Sequence, residues 1–319
     1  MRTTLSLVLM TLLLSCGDDV DEPVVATDDD ENPEIEQAAP NPPNVSGMDY
    51  TQRQVSVDDA YDALKGTLES NPNISIVAEV DHQANAASVD LELNPTKIIF
   101  FGNPNLGTPL MQQNQVAGLD LPQKILIYQN AEEEVYAGFN NTTYLSSRHG
   151  LDGVETLPMI QGALTGLSTA ANPDSLVVAE NSTVELGEGI ITKTVNGSCD
   201  DAYGRLRTAI DNNPNLRIIA ELDHQANAAK VNLELRPTRV IIFGNPNLGT
   251  PLMQNAQTTA LDLPQKMLVW TDADGVGHVS YNDPVFLVER HGITENEEVL
   301  ATVTGALDNL SNAAVGEAP

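Results

Sequence analysis

Two stretches of the chain repeat one pattern of apolar and polar positions. Tyr50 to Val55 and Thr192 to Val195 suit an opening strand, and a helix follows in each: Val57, Ala60, Tyr61, Leu64 and Leu68 recur at helical spacing, as do Cys199, Ala202, Tyr203, Leu206 and Ile210. Ser56-Val57-Asp58-Asp59 and Ser198-Cys199-Asp200-Asp201 match a capping box with Asp in place of Glu, and Asn71-Pro72-Asn73 and Asn213-Pro214-Asn215 end the helix. A β-rich run, Ile74 to Val80, leads to Asp81-His82 and an alanine-rich short helix to about Leu93. Asn94-Pro95 and Arg236-Pro237 then open strands Lys97 to Phe101 and Arg239 to Phe243. Gly102-Asn103-Pro104 reads as a turn, and Thr108-Pro109 and Thr250-Pro251 as an N-cap followed by proline at the first helical position. Leu121 to Tyr128 and Leu263 to Trp270 are predicted strands, with a hairpin partner after Asp274-Gly275. A final amphipathic helix carries Ile160, Leu164 and Leu167 in one stretch and Val303, Leu307 and Leu310 in the other. Helices and strands mix without strict alternation, which predicts an α+β fold.

The pattern repeats because the residues do. Asp81-His82-Gln83-Ala84-Asn85-Ala86-Ala87 returns as Asp223 through Ala229, Phe101 through Gln112 as Phe243 through Gln254, and Arg148-His149-Gly150 as Arg290-His291-Gly292, all in one unbroken register. Every turn has kept its length, so two tandem copies of one domain are expected at 47–173 and 189–316, joined by a linker over 174–188. Equivalent domains of this kind can pair within one chain as a homodimer does.

Composition narrows the role. With 45 acidic against 15 basic residues and a formal charge of −30, the surface repels phosphate backbones, so nucleic acid is not an expected partner. Residues 17–46, densest in Asp, Glu and Pro up to Pro43, cannot offset their chain entropy by burial and read as an acidic tether. Ahead of it, residues 1–16 carry an address: Met1-Arg2 is a minimal positive start and Leu5 to Leu14 an apolar run too short to span a bilayer. Leu13-Leu14-Ser15-Cys16 closes that run and resembles a bacterial lipobox, which implies lipidation of Cys16 and a membrane-anchored envelope protein. Gly17 favours the outer membrane, and Asp18-Asp19 with Asp21-Glu22 leave its periplasmic and surface-exposed sides open. Cys199 replaces Val57 of the first copy and reads as a small buried apolar residue.

At the shared motifs the sequence becomes specific. Asp81-His82, Leu91-Glu92-Leu93-Asn94-Pro95-Thr96, Phe101 to Met111, Leu119-Asp120-Leu121-Pro122-Gln123-Lys124 and Arg148-His149-Gly150, with their twins, together resemble the family called domain of unknown function 302 (DUF302). The resemblance covers most of both copies. It implies helices packed on an antiparallel sheet, of the kind grouped with TATA-binding-protein-like topologies, and brings no activity, cofactor or catalytic residue.

Candidate site residues are therefore ranked by chemistry. His82 and His224 lead, because a neutral imidazole binds ligands or exchanges protons near neutral pH. Adjacent strand residues point to opposite faces, so Asp81 and Asp223 are expected to cap the next helix rather than orient those rings. Asn85 and Asn227 lie beside them in sequence, and Asn103 and Asn245 stand in loops where backbone N–H groups can approach an anion. Arg148, His149, Arg290 and His291 suit a helix C-terminus. With Lys97, Lys124, Arg239 and Lys266 they would form an anion pocket if they converged with the histidines. No zinc-like spacing, carboxylate dyad or nucleophile elbow accompanies them, so neither metal nor cofactor is expected. A non-catalytic module that binds a small ligand or an envelope protein is the leading expectation. An enzyme using the paired histidines as acid-base groups and a structural pseudo-dimer are the alternatives.

Overall fold

The computed structural model describes residues 43–316. The address, Cys16 and the tether up to residue 42 lie outside the described residues. Residues 43–46, assigned above to the tether, are instead packed: Val45 is buried, and the Ser46 carbonyl accepts two hydrogen bonds from Arg290.

The first copy runs β1 (Met48–Arg53), α1 (Val57–Glu69), β2 (Ser75–Asp81), α2 (His82–Ala87), β3 (Thr96–Gly102), α3 (Pro104–Gln113), a 3-10 helix (Gln115–Leu119), β4 (Gln123–Gln129), β5 (Val135–Asn140), α4 (Thr142–His149) and α5 (Leu157–Ala171). The second repeats it as β6 (Ile190–Thr194), α6 (Cys199–Asp211), β7 (Arg217–Asp223), α7 (His224–Lys230), β8 (Thr238–Gly244), α8 (Pro246–Asn255), a 3-10 helix (Gln257–Leu261), β9 (Gln265–Thr271), β10 (Gly277–Asn282), α9 (Pro284–His291) and α10 (Glu297–Val315). Each copy folds its strands into one antiparallel sheet, in the orders β1-β5-β4-β3-β2 and β6-β10-β9-β8-β7. The α+β class expected from the pattern is the one observed, in two tandem domains.

Local chemistry explains most boundaries. Ser56 and Ser198 accept from the backbone N–H three residues on, as the capping pattern requires. Gly150 and Gly292 close α4 and α9 in the left-handed conformation, with Arg148-His149 and Arg290-His291 in the last turn. Two expectations need correction. The alanine-rich helix ends at Ala87 rather than near Leu93, because Asp90 adopts φ of 59° and the Leu91 N–H turns back to the Ala86 carbonyl. In the second copy Asn232 plays the part of Asp90. The next helix starts at Pro104, not Pro109: Asn103 caps it by accepting from the Asn105 N–H, and Pro109 is carried inside. The same N-cap and proline chemistry is satisfied one turn earlier.

Alternation along the strands assigns two buried faces to each sheet. In the first, Ile99, Phe101, Ile125, Ile127, Ala137 and Phe139 pack against α1 and α5. Ile98, Phe100, Leu126 and Tyr128 point the other way and join Ile242, Met253, Leu261 and Leu263 of the second copy in one cluster. An antiparallel sheet often leaves one face to water. Here the second copy covers it, and both copies lie in one compact unit.

The linker is also placed. Tyr50 and Val177 exchange both backbone hydrogen bonds, at 3.0 and 2.8 Å, so the connection lies along the free edge of β1. It then passes Arg148, whose carbonyl accepts from the Gly187 N–H.

Because both faces are enclosed, Phe100→Ala and Phe101→Ala are each expected to cost about 3–5 kcal/mol in urea denaturation. A cost near zero for Phe100→Ala alone would show that its face is open to water.

Candidate functional site

Between the two sheets lies a charged network built from the shared motifs. Asp120 follows the 3-10 helix of the first copy and accepts from Arg148 at 2.8 Å and from His149 Nε2 at 2.7 Å. Asp262 repeats this with Arg290 at 2.5 Å and His291 at 2.9 Å. The copies then exchange partners. Lys124 reaches Asp262 at 3.4 Å; Arg148 donates to the Glu188 and Gly189 carbonyls and to Asn282, and Arg290 to the Ser46 carbonyl and Asn140. Tyr144 lies between both guanidinium groups, its centroid 4.1 Å from Arg290 and 5.8 Å from Arg148.

Burial decides the electrostatics. It pushes the Asp120 and Asp262 carboxyls up, but the facing cations and imidazole N–H groups outweigh it and hold both well below the usual carboxylate range. Burial and then the neighbouring Lys124 push the Lys266 ammonium far down. Glutamines tie the copies together outside the charges: Gln115 donates to Thr238 at 2.8 Å and Gln257 to Thr96 at 2.7 Å.

The expected anion pocket does not assemble from these groups. Arg148 and Arg290 are buried and engaged by the facing copy, His149 and His291 are buried against Asp120 and Asp262 of their own copies, and Lys97 pairs with Asp58 and Asp81 at the surface. Cys199 is only partly buried, its thiol donating to the Trp270 carbonyl.

The leading histidines lie elsewhere, and across the copies. Asp81 accepts from the Ala84 N–H at 2.8 Å, which makes His82 the first residue of α2; Asp223 does the same for His224 and α7. Each short helix faces the loop of the other copy. Val80, His82 and Asn85 close a cleft of about 90 Å³ whose remaining wall includes Asn245, Pro246, Thr250, Met253 and Leu307, with Arg217 among its lining. Leu222, His224 and Asn227 close a second, of about 220 Å³, against Asn103, Pro104, Thr108, Met111 and Leu164. The structure thus brings His82 to Asn245 and His224 to Asn103, not each histidine to the loop of its own copy.

Both walls are largely apolar with a few unanswered polar atoms. His82 and His224 are only 5% and 6% exposed, and the Nε2 atom of each has no hydrogen-bond partner in the protein. Thr250 Oγ1 in the first cleft and Gln123 Nε2 in the second are likewise unpaired. For His224 the nearby Gly118 backbone adds a small influence in favour of the protonated ring. Burial, only partly opposed by Asp81 or Asp223, lowers both imidazoles to about 4 and keeps them neutral.

Sequence reading missed the exchange of partners and the roles of Asp120 and Asp262. The missed signal was the unbroken apolar runs of β3 and β4, since a strand with one wet face alternates.

Replacing Asp120 by Asn removes the buried carboxylate that Arg148 donates to, and an unfolding cost of about 3–5 kcal/mol is expected. The histidines set the acid limit. A neutral ring that regains a pKa near 6.5 on unfolding stabilises the fold above that pH, and the contribution is lost as pH falls from about 6.5 to about 4. Unfolding free energies from urea denaturation should therefore fall across that window, by roughly 3 kcal/mol for each of the two rings. A His82→Gln, His224→Gln double variant should lose most of that slope. Below it, protonation of Asp120 and Asp262 removes the carboxylate contribution as pH drops through their depressed values.

Among known proteins, the fluoride-specific ion channels FluC 1 of Brucella suis and of Brucella abortus are each 42% identical to this chain over 92 residues. That is 28% of this chain and 36% and 34% of theirs, so the chain spans about a third of the length of these curated relatives. A solved structure, the uncharacterized conserved protein DUF302 from Bacillus stearothermophilus, aligns over 40% of this chain and 98% of its own at 15% identity and a TM-score of 0.36. The family described as Domain of unknown function DUF302 matches residues 48–167 and again residues 191–310. Matched from β1 into α5 and from β6 into α10, the chain belongs to the DUF302 family, as two tandem members.

Proposed function

We propose that the paired domains form a non-catalytic binding module that takes a small ligand in two composite clefts. One observation carries this reading: each cleft is an apolar wall from one copy closed by a buried, neutral imidazole of the other, with Nε2 unanswered. Apolar concavities with a few convergent polar atoms are where small molecules bind. General acid-base work favours a group that titrates near the working pH, and rings lowered to about 4 suit hydrogen bonding better. Fluoride conduction is named for relatives of which this chain spans about a third. Among the described residues no helix is long and apolar enough to cross a membrane, and no conducting role is carried over.

The same proposal includes the address. An acylated Cys16 would hold the module at the bacterial envelope, on the outer membrane, with the acidic stretch as spacer.

Two tests follow. Ala163 and Ala306 line the His224 and His82 clefts, so tryptophan at either position is expected to occupy one cleft. A fragment screen by protein-observed NMR on the full chain should find ligands that Ala163→Trp or Ala306→Trp weakens at least tenfold, each variant acting on its own cleft. Hits indifferent to both substitutions would refute binding in the clefts. Metabolic labelling with an alkynyl fatty acid in a bacterial host should mark the wild type and leave Cys16→Ala unlabelled; equal labelling would refute the anchor.

A further inference from the structure

The two clefts share a design but differ in size and in the polar atoms they present. A cavity of about 150 Å³ lined by aliphatic side chains holds a benzene ring. At about 220 Å³ the His224 cleft exceeds that measure, and at about 90 Å³ the His82 cleft falls short of it. A six-membered ring therefore fits one of them.

Chemistry at that cleft is equally restrictive. With the one hydrogen of a neutral His224 ring on Nδ1, Nε2 has no partner in the protein and is left as an acceptor on a side chain that lines the cleft. Gln123 lines the same cleft, and its Nε2 is an unpaired donor. A hydroxyl group answers both, since its hydrogen can go to His224 and its oxygen can accept from Gln123. Among the described residues that line this cleft there is no Lys or Arg, so a carboxylate or phosphate would find no counter-charge. Leu106, Met111, Leu164 and Leu222 supply apolar wall for the rest of the molecule.

We propose that the His224 cleft is a site for an uncharged, ring-sized hydroxyl compound, a phenol or cyclic alcohol, whose O–H donates to His224 Nε2. The proposal rests on the binding reading above and narrows it to a ligand class, a stoichiometry and a hydrogen-bond direction.

Phenol, toluene and benzoate separate the terms, since they share a ring and differ in the substituent. Titrated into the full chain at neutral pH, phenol should saturate one site per chain. Toluene should bind about tenfold more weakly, because it leaves two enclosed polar atoms unpaired. Benzoate should bind more weakly still. The Nε2 resonance of ¹⁵N-labelled His224 should move with phenol and stay in place with toluene. His224→Phe, which keeps the ring and removes the acceptor, should reduce phenol to the level of toluene. If that variant fails to fold, the wild-type comparison and the Nε2 shift decide. Equal affinity for phenol and toluene, tighter binding of benzoate, or an unmoved Nε2 resonance overturns the assignment and leaves cleft binding standing. Failure of all three probes to saturate overturns it too, whereas loss of every tryptophan-sensitive fragment is what refutes binding itself.

Discussion

The buried exchange of charges between Asp120, Lys124, Arg148 and their twins constrains the whole structure. Isolated ions inside protein are expensive, so Asp120, Asp262, Lys124, Arg148 and Arg290 each meet a complement within hydrogen-bond reach, while burial pushes the unpartnered Lys266 toward its neutral form. Those complements come from the facing copy as much as from its own: Asp262 holds Lys124, while the Glu188 and Gly189 carbonyls hold Arg148. Apolar surfaces alone would tolerate sliding. The charges instead fix the register of one sheet over the other, and with it the position of α2 over α8 and α7 over α3. The clefts inherit their geometry from that register.

Much of this was legible in the residues and some was not. Capping serines, the closing glycines and the constant spacing gave the elements and the duplication directly, because they are local and covalent in origin. The starts of α3 and α8 were misplaced because two asparagine- or threonine-proline signals compete within five residues and only packing chooses between them. Arg148-His149-Gly150 was correctly read as a helix end, yet that reading described only its backbone. Its side chains answer to Asp120, 28 residues earlier, and to the other copy. No local pattern encodes such a meeting. The clearest clue was one of excess: β3 and β4 are apolar on both faces, which a sheet with a single helical layer does not need.

Duplication in one chain also permits divergence that identical subunits cannot have. Tyr144 between the arginines is Phe286 in the other copy, and Asn94 is matched by Arg236, whose guanidinium reaches Gln115. These differences are small in sequence. The aspartate, arginine and histidine contacts at the centre are nonetheless kept in both copies.

The strand-like passage of residues 175–182 along β1 has a wider consequence. By tying the end of one copy to the start of the next, it makes their encounter unimolecular. The local concentration of one domain about the other is then set by chain length rather than by how much protein the cell makes. A binding site split between separately diffusing subunits empties on dilution; one split across a single polypeptide stays assembled however sparse the molecule becomes.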